Sequence, residues 1–265
     1  MFRIILSLLA LMAPFPAFSA SSQWAKSEGG AVRLVTTGLP DKHGRLRGAL
    51  EIRLEPGWKT YWRNPGPAGI PPQLDLSRSP GIEAVEVEFP PPRRIRDGDI
   101  QWAGYTQSVS LPVTFTFENA ETVTLIDADV FLGICKTICI PFQASFLIDP
   151  GAGASNAADA LVVQRAFDRL PGPANDELGL VGIRREQSRL VLTATLPEGA
   201  RNPVLFLDHQ RSHLLATPQL TGRGGAHATF AVEISGRADG KLETTQLLYT
   251  LTVEGKAVHG TIRIP

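Results

Sequence analysis

Cys135 and Cys139 are the only two cysteines of the 265-residue chain. They stand in Phe131-Leu-Gly-Ile-Cys-Lys-Thr-Ile-Cys-Ile-Pro141, bracketed by Gly133 and Pro141. Three intervening residues allow a tight loop in which the Cα atoms can come within the ~4.4–6.8 Å that a disulfide needs. A ring this small stabilises little, because the entropy removed from the unfolded chain falls with loop length. Small strained rings are also easier to reduce than large relaxed ones. The spacing therefore favours a pair that cycles between dithiol and disulfide over a structural staple, which would more usefully join distant strands. Lys136, beside Cys135, could stabilise a thiolate if its ammonium turns inward, and is otherwise an ordinary solvated lysine.

Other chemistries find less support. Two thiolates could hold Cu(I), but the additional Cys or His ligands of a zinc site are missing. His209 and His213 would share a face only on a helix, and their surroundings read as strand and loop, while His43, His227 and His259 are isolated. No metal site and no cofactor are expected. Neither a Ser-His-Asp set, a pair of carboxylates nor a phosphate loop can be argued from spacing. With 26 basic and 26 acidic residues the formal charge cancels, so neither nucleic acid nor anionic lipid is suggested as a partner.

The first residues read as an export signal over 1–20: Arg3, an apolar stretch from Ile4 to Ala13, then small residues at Ala17, Ser19 and Ala20. The apolar stretch is too short for the ~30 Å hydrocarbon core, which needs about 20 residues, and no later segment is long and apolar enough. The expected destination is the periplasm, where oxidation is the default state of a close cysteine pair. Both methionines, Met1 and Met12, fall in the signal, which leaves few sulfur ligands for copper.

The elements that must hold the cysteines read as all-β. From Ala31 to Ile148, short runs of branched and aromatic residues are broken by Gly, Pro and Asp, the pattern of a β-sandwich. Expected strands cover 31–37, 47–54, 58–63, 82–89, 108–117, 122–131 and 143–148, with Leu50, Ile52 and Leu54 alternating against Glu51 and Arg53. Proline-rich stretches at 63–72 and 90–94 must be loops or edges. Residues 151–174 read as a linker with one helix over 158–170, and 175–265 as a second, smaller sandwich with strands at 178–183, 189–195, 203–208, 226–234, 246–254 and 258–264. On the strand 58–63, Trp58, Thr60 and Trp62 share one face, where core packing is expected, and Lys59, Tyr61 and Arg63 the other. Trp102 lies in Asp97-Gly-Asp-Ile-Gln-Trp-Ala-Gly-Tyr105, read as a polar loop whose large aromatic either anchors it or covers something.

Three motifs, in order, carry a family resemblance: Pro56-Gly-Trp-Lys-Thr-Tyr-Trp-Arg-Asn-Pro-Gly66, then Tyr105 followed by Leu111-Pro-Val-Thr-Phe115, then Cys135 to Pro141. Over roughly Trp24 to Pro150 the chain resembles the amino-terminal, disulfide-exchanging domain of the DsbD membrane reductases and the related ScsB proteins. The resemblance implies an immunoglobulin-like sandwich over 21–150 whose cysteine pair passes electrons from a thioredoxin-like donor or membrane carrier to oxidised periplasmic proteins. Protein disulfide reduction, cytochrome c maturation or copper-stress defence are the contexts it suggests. It also implies a cap loop over the pair, here Asp99, Gln101, Trp102 and Tyr105, with Trp58, Tyr61, Lys136 and Pro141 in support. In the family the later cysteine makes the mixed disulfide, which points to Cys139, with Cys135 resolving. The family's best-known members separate their cysteines by more residues. No membrane reductase follows in this chain, so a separate electron carrier is expected. The competing readings are a two-sandwich adaptor with a structural disulfide and a Cu(I) carrier.

Overall fold

Side chains that alternate between apolar and polar make a strand wherever one face can be buried, and Arg45–Leu54 shows this plainly. Leu46, Leu50 and Ile52 are buried, Arg45, Arg47 and Arg53 exposed. The computed structural model describes residues 20–66, 69–98, 100–119, 124–152, 156–208, 215–234 and 246–265. The expected signal (1–20, nearly all of it), Asp99, His209 and His213 lie outside the described residues.

The first half contains strands β1 (Ala25–Ser27), β2 (Gly30–Thr36), β3 (Arg45–Leu54), β4 (Thr60–Tyr61), β5 (Gln73–Asp75), β6 (Ile82–Val87), β7 (Arg93–Asp97), β8 (Ile100–Tyr105), β9 (Val109–Phe117), β10 (Ile126–Cys135) and β11 (Cys139–Ile148). They form a sheet ordered β1-β2-β3-β9-β6, a facing sheet β11-β10-β5 and a small sheet β4-β8-β7, all antiparallel. This is an immunoglobulin-like sandwich. Its core joins Leu34, Leu50 and Phe115 of one sheet to Val130, Leu132 and Ile134 of the other, each such side chain contributing ~1.5–3 kcal/mol by leaving water.

A helix, α1 (Ala157–Phe167), follows, with the Asn156 side chain accepting from the Ala158 and Asp159 N–H groups at its start. Its Val163 and Ala166 pack on Val35 and Ala49, which explains why those two strand residues are buried on the face turned away from the core. The second half adds β12 (Gly172–Pro173), β13 (Gly179–Glu186), β14 (Arg189–Thr195), β15 (Val204–Asp208), β16 (Gln219–Gly224), β17 (His227–Glu233), β18 (Gln246–Val253) and β19 (Lys256–Arg263). Its two sheets run β12-β19-β18-β15 and β13-β14-β17-β16 around a separate core that includes Leu192, Phe230 and Leu251.

Strand β15 serves both cores. Leu205 and Leu207 belong to the second, whereas Phe206 packs into the first, meeting Trp62 edge-on at 5.7 Å. Arg63 pairs with Asp208 at 3.3 Å, and the Asn64 amide donates to Leu207 O at 2.8 Å. The two halves are thus joined through the loop after β4.

The structure corrects the sequence reading at three places near the cysteines. The strands expected to stop at Phe131 and restart after Pro141 continue to Cys135 and from Cys139, so the ladder runs to the cysteines themselves. The expected strand 58–63 shrinks to Thr60–Tyr61. The expected loop around Trp102 is strand β8, half of a hairpin with β7 that turns at Gly98 in a left-handed conformation, φ 60°. The expected helix 158–170 starts and stops earlier, at 157–167.

Candidate functional site

Side chains of β10 alternate between the core and the outer face. At Asp127, Asp129 and Phe131 the outer face is half-buried, but at Gly133 and Cys135 it is buried, because β4 and the β7–β8 hairpin cover it. Backbone pairing explains why the two cysteines meet. The N–H and C=O of Cys135 both pair with Lys59 on the far side, each at 2.9 Å, so toward Cys139 the pair is of the non-hydrogen-bonded kind, in which side chains approach most closely. Cys135 and Cys139 stand opposite each other with Cα atoms 4.0 Å apart and form a disulfide. Two positions along, Gly133 donates to Ile70 O rather than to Pro141. Proline, lacking a donor, therefore breaks no bond at that position of an edge strand.

The two sulfurs have different surroundings. Cys135 is 1 % exposed and clusters with Tyr61, Trp102 and Ile95, while Cys139 is exposed at the end of β11. The Tyr61 hydroxyl lies 3.0 Å from Cys139 Sγ. Its ring meets Trp102 edge-on, centroids 5.4 Å apart, and the Lys59 ammonium sits 4.8 Å from the Trp102 ring centre. Gly133 makes room for this arrangement: a Cβ there would stand 3.0 Å from both the Tyr61 ring and Ile70. The three-residue tip is exposed throughout, and Ile138, next to Cys139, is 70 % exposed.

The residues singled out from sequence fall into three groups. Tyr61, Trp102 and the cysteines come together. Tyr105 and Trp58 are buried in the main core instead, Tyr105 donating to Pro90 O at 2.7 Å and Trp58 lying against Gly29. Burial holds the Tyr105 phenol well above its ordinary pKa, so it acts as a neutral anchor at the base of the hairpin. Lys136, Pro141 and the half-buried Gln101 lie outside this cluster: Lys136 and Pro141 are exposed, and Gln101 stands opposite Arg96, on the hairpin face turned away from Ile95 and Trp102. Sequence reasoning missed Ile95 and Lys59. Ile95 could have been found from its position opposite Trp102 had the hairpin been recognised.

Residues 34–149 match the family model described as thiol:disulfide interchange protein DsbD, N-terminal. This segment belongs to the DsbD amino-terminal family. The DsbD-type segment contains the whole cluster, including Tyr61, Ile95, Trp102 and both cysteines. Among solved structures, the chain is similar to the N-terminal periplasmic domain of ScsB from Proteus mirabilis, with 23 % identity and a TM-score of 0.79 over 93 % of this chain and 98 % of that one. That likeness extends beyond the DsbD-type segment to the second sandwich. A search of curated proteins returns no match. Family and cysteine pair together support thiol–disulfide exchange. No helix among the described residues is long and apolar enough to cross a membrane.

Proposed function

We propose that the chain is a periplasmic thiol–disulfide exchange protein in which Cys139 is the sulfur attacked by, and attacking, partners, and Cys135 resolves. The observation that carries this reading is the asymmetry of the pair: an exposed Cys139 joined to a Cys135 buried under Trp102 and Ile95. A donor thiolate approaching from solvent reaches Cys139 first. Its attack forms an intermolecular disulfide, breaks the Cys135–Cys139 bond and leaves the electron pair on Cys135 as a thiolate. A second donor thiol then attacks the donor sulfur of that bond, releasing Cys139 and carrying the disulfide away on the donor. The reverse sequence, begun by the Cys139 thiolate, reduces an oxidised partner. The Tyr61 hydroxyl can donate to the Cys139 thiolate whenever it is released.

The partners fitting this chemistry are a thioredoxin-like protein or membrane thiol carrier on the donor side and oxidised periplasmic proteins on the other. The exposed Ile138 gives such a partner an apolar contact immediately beside the reactive sulfur. Two separate cores support reading 21–150 and 175–265 as two domains, with the connecting helix packed against the first.

The test is trapping. Cys135→Ala should accumulate a mixed disulfide between Cys139 and a thioredoxin-like protein, and Cys139→Ala should not. If Cys135→Ala traps no such protein, the relay role fails. A reduction potential below about −300 mV would return the pair to a structural disulfide.

A further inference from the structure

The β7–β8 hairpin has two faces, and only one of them covers the disulfide. Ile95 and Trp102 stand opposite each other in the ladder and close over Cys135. Side chains alternate, so Arg94, Arg96 and Gln101 project from the other face. There they line a cleft of ≈ 340 Å³ together with the half-buried Val204 and the exposed Leu220 of the second sandwich.

The cations in this cleft are unusually placed. Arg94 is half-buried, its two terminal nitrogens donating to the carbonyls of Pro218 at 2.8 Å and Leu205 at 2.6 Å, with the Phe206 ring 5.1 Å from the guanidinium. All of these partners are uncharged. Among the described residues no carboxylate pairs with Arg94, in contrast to Arg63 at the same junction, which has Asp208. Burial accordingly pushes the Arg94 guanidinium down to about 10. Two carbonyl bonds leave donors of the guanidinium fork to spare. Arg96, exposed and two residues along on the same face, brings a second fork to the cleft mouth. A guanidinium withdrawn from water without a counter-charge is a site whose electrostatics improve when an anion arrives.

We propose that this cleft binds a carboxylate carried on a small apolar body, the carboxylate between Arg94 and Arg96 and the apolar part against Val204 and Leu220. The volume sits at the small end of the ~300–1,000 Å³ typical of ligand sites, which suits a side-chain-sized group. The carboxylate can belong to a free small molecule or to the end of a peptide chain; the recognising chemistry is the same. A strongly hydrated anion such as phosphate would gain nothing from the apolar wall and is not the ligand this cleft fits. Because the site lies on the back of the hairpin that covers Cys135, its occupant joins that hairpin to the second sandwich.

Calorimetric titration of the oxidised full chain tests this with N-acetyl-leucine, N-acetyl-leucinamide, the tetrapeptide Ala-Ala-Ala-Leu with a free carboxyl end, and inorganic phosphate. The expected result is saturable binding of N-acetyl-leucine, at least tenfold weaker binding of the amide, and a similar loss in Arg96→Gln, whose exposed site leaves folding undisturbed. Arg94→Lys, which keeps the charge but not the fork, should also weaken binding. If the tetrapeptide binds at least tenfold tighter than N-acetyl-leucine, a chain terminus is the source; comparable affinities make it a free carboxylate. Absence of saturable binding, equal binding of the amide, phosphate binding as well as N-acetyl-leucine, or an unaltered Arg96→Gln would each overturn the proposal.

Discussion

If Trp102 is the cover over Cys135, removing it should expose one sulfur and leave the other as it was. In the reduced protein, Cys135 can meet an alkylating reagent only when the hairpin lifts, so its labelling rate is the intrinsic thiolate rate multiplied by the open fraction. Two contacts of Trp102 are lost on opening. The edge-on pair with Tyr61 contributes ~0.5–1.5 kcal/mol, and the Lys59 ammonium over the ring adds ~0.5–1 kcal/mol. Their sum, about 1–2.5 kcal/mol, corresponds at about 1.4 kcal/mol per decade to a five- to sixtyfold larger open fraction in Trp102→Ala. This is a floor, because the apolar burial of the ring is not counted. The assay is timed iodoacetamide labelling followed by mass spectrometry in two single-thiol backgrounds, Cys139→Ser and Cys135→Ser, across a pH series that separates thiolate fraction from access. Trp102→Ala should accelerate Cys135 by at least about fivefold and leave the exposed Cys139 within about threefold. Trp102→Phe, which keeps an aromatic edge against Tyr61, should fall between. Equal labelling of both cysteines in the parent, or no acceleration of Cys135, would refute the idea that the hairpin acts as a cover.

Three further outcomes follow from the geometry. Tyr61→Phe removes the hydroxyl 3.0 Å from Cys139 Sγ; a hydrogen bond to a charged group contributes ~1.5–3 kcal/mol, so the Cys139 thiol should titrate about one to two units higher, read by thiolate absorbance in the Cys135→Ser background. An unmoved titration would show that the hydroxyl does not serve the thiolate. Replacing both cysteines by serine opens a ring with a sequence separation of 4, for which chain entropy gives a loss of about 2 kcal/mol in denaturant unfolding; a loss near 5 kcal/mol would make the disulfide a structural staple after all. Burial, and then the charge of Glu86, raises the Glu88 carboxyl above its ordinary range. The folded protein therefore binds that proton more readily than the unfolded chain, and stability falls as pH rises from the unfolded to the folded value. Glu88→Gln should raise Tm at neutral pH, with the gain vanishing below the ordinary glutamate value of ~4.3, and a constant gain across pH would contradict this.

Much of the site was legible because it rests on local periodicity. The division of Trp58, Thr60 and Trp62 from Lys59 and Tyr61 needs only the alternation of an extended chain, and it separates core from site as the structure does. The pairing of the cysteines was legible from their spacing, and their family from the motifs around them. The β7–β8 hairpin was not, for a physical reason. Its outward side chains, Arg94, Arg96 and Gln101, are polar because they face the carbonyls and cleft of a distant segment, so the usual contrast between an apolar core face and a solvated one reads as loop. Strand β15 was legible as a strand, but not its double packing. Val204, Leu205, Phe206 and Leu207 form an unbroken apolar run because alternate members enter different cores, and no local pattern says that Val204 and Phe206 pack into a core built by a segment more than a hundred residues earlier.

The bonding of Cys135 to Lys59 has a dynamic consequence. Because the Cys135 backbone is held by Lys59 and the ladder through Ile134 and Ile140 continues beneath it, cutting the sulfur–sulfur bond removes no backbone hydrogen bond. The reduced pair then stays face to face on a rigid hairpin, at an effective concentration set by the ladder rather than by chain diffusion. A partner joined to Cys139 is held next to a thiol that has nowhere else to go, so the mixed disulfide should be short-lived and the exchange should run without refolding at either oxidation state.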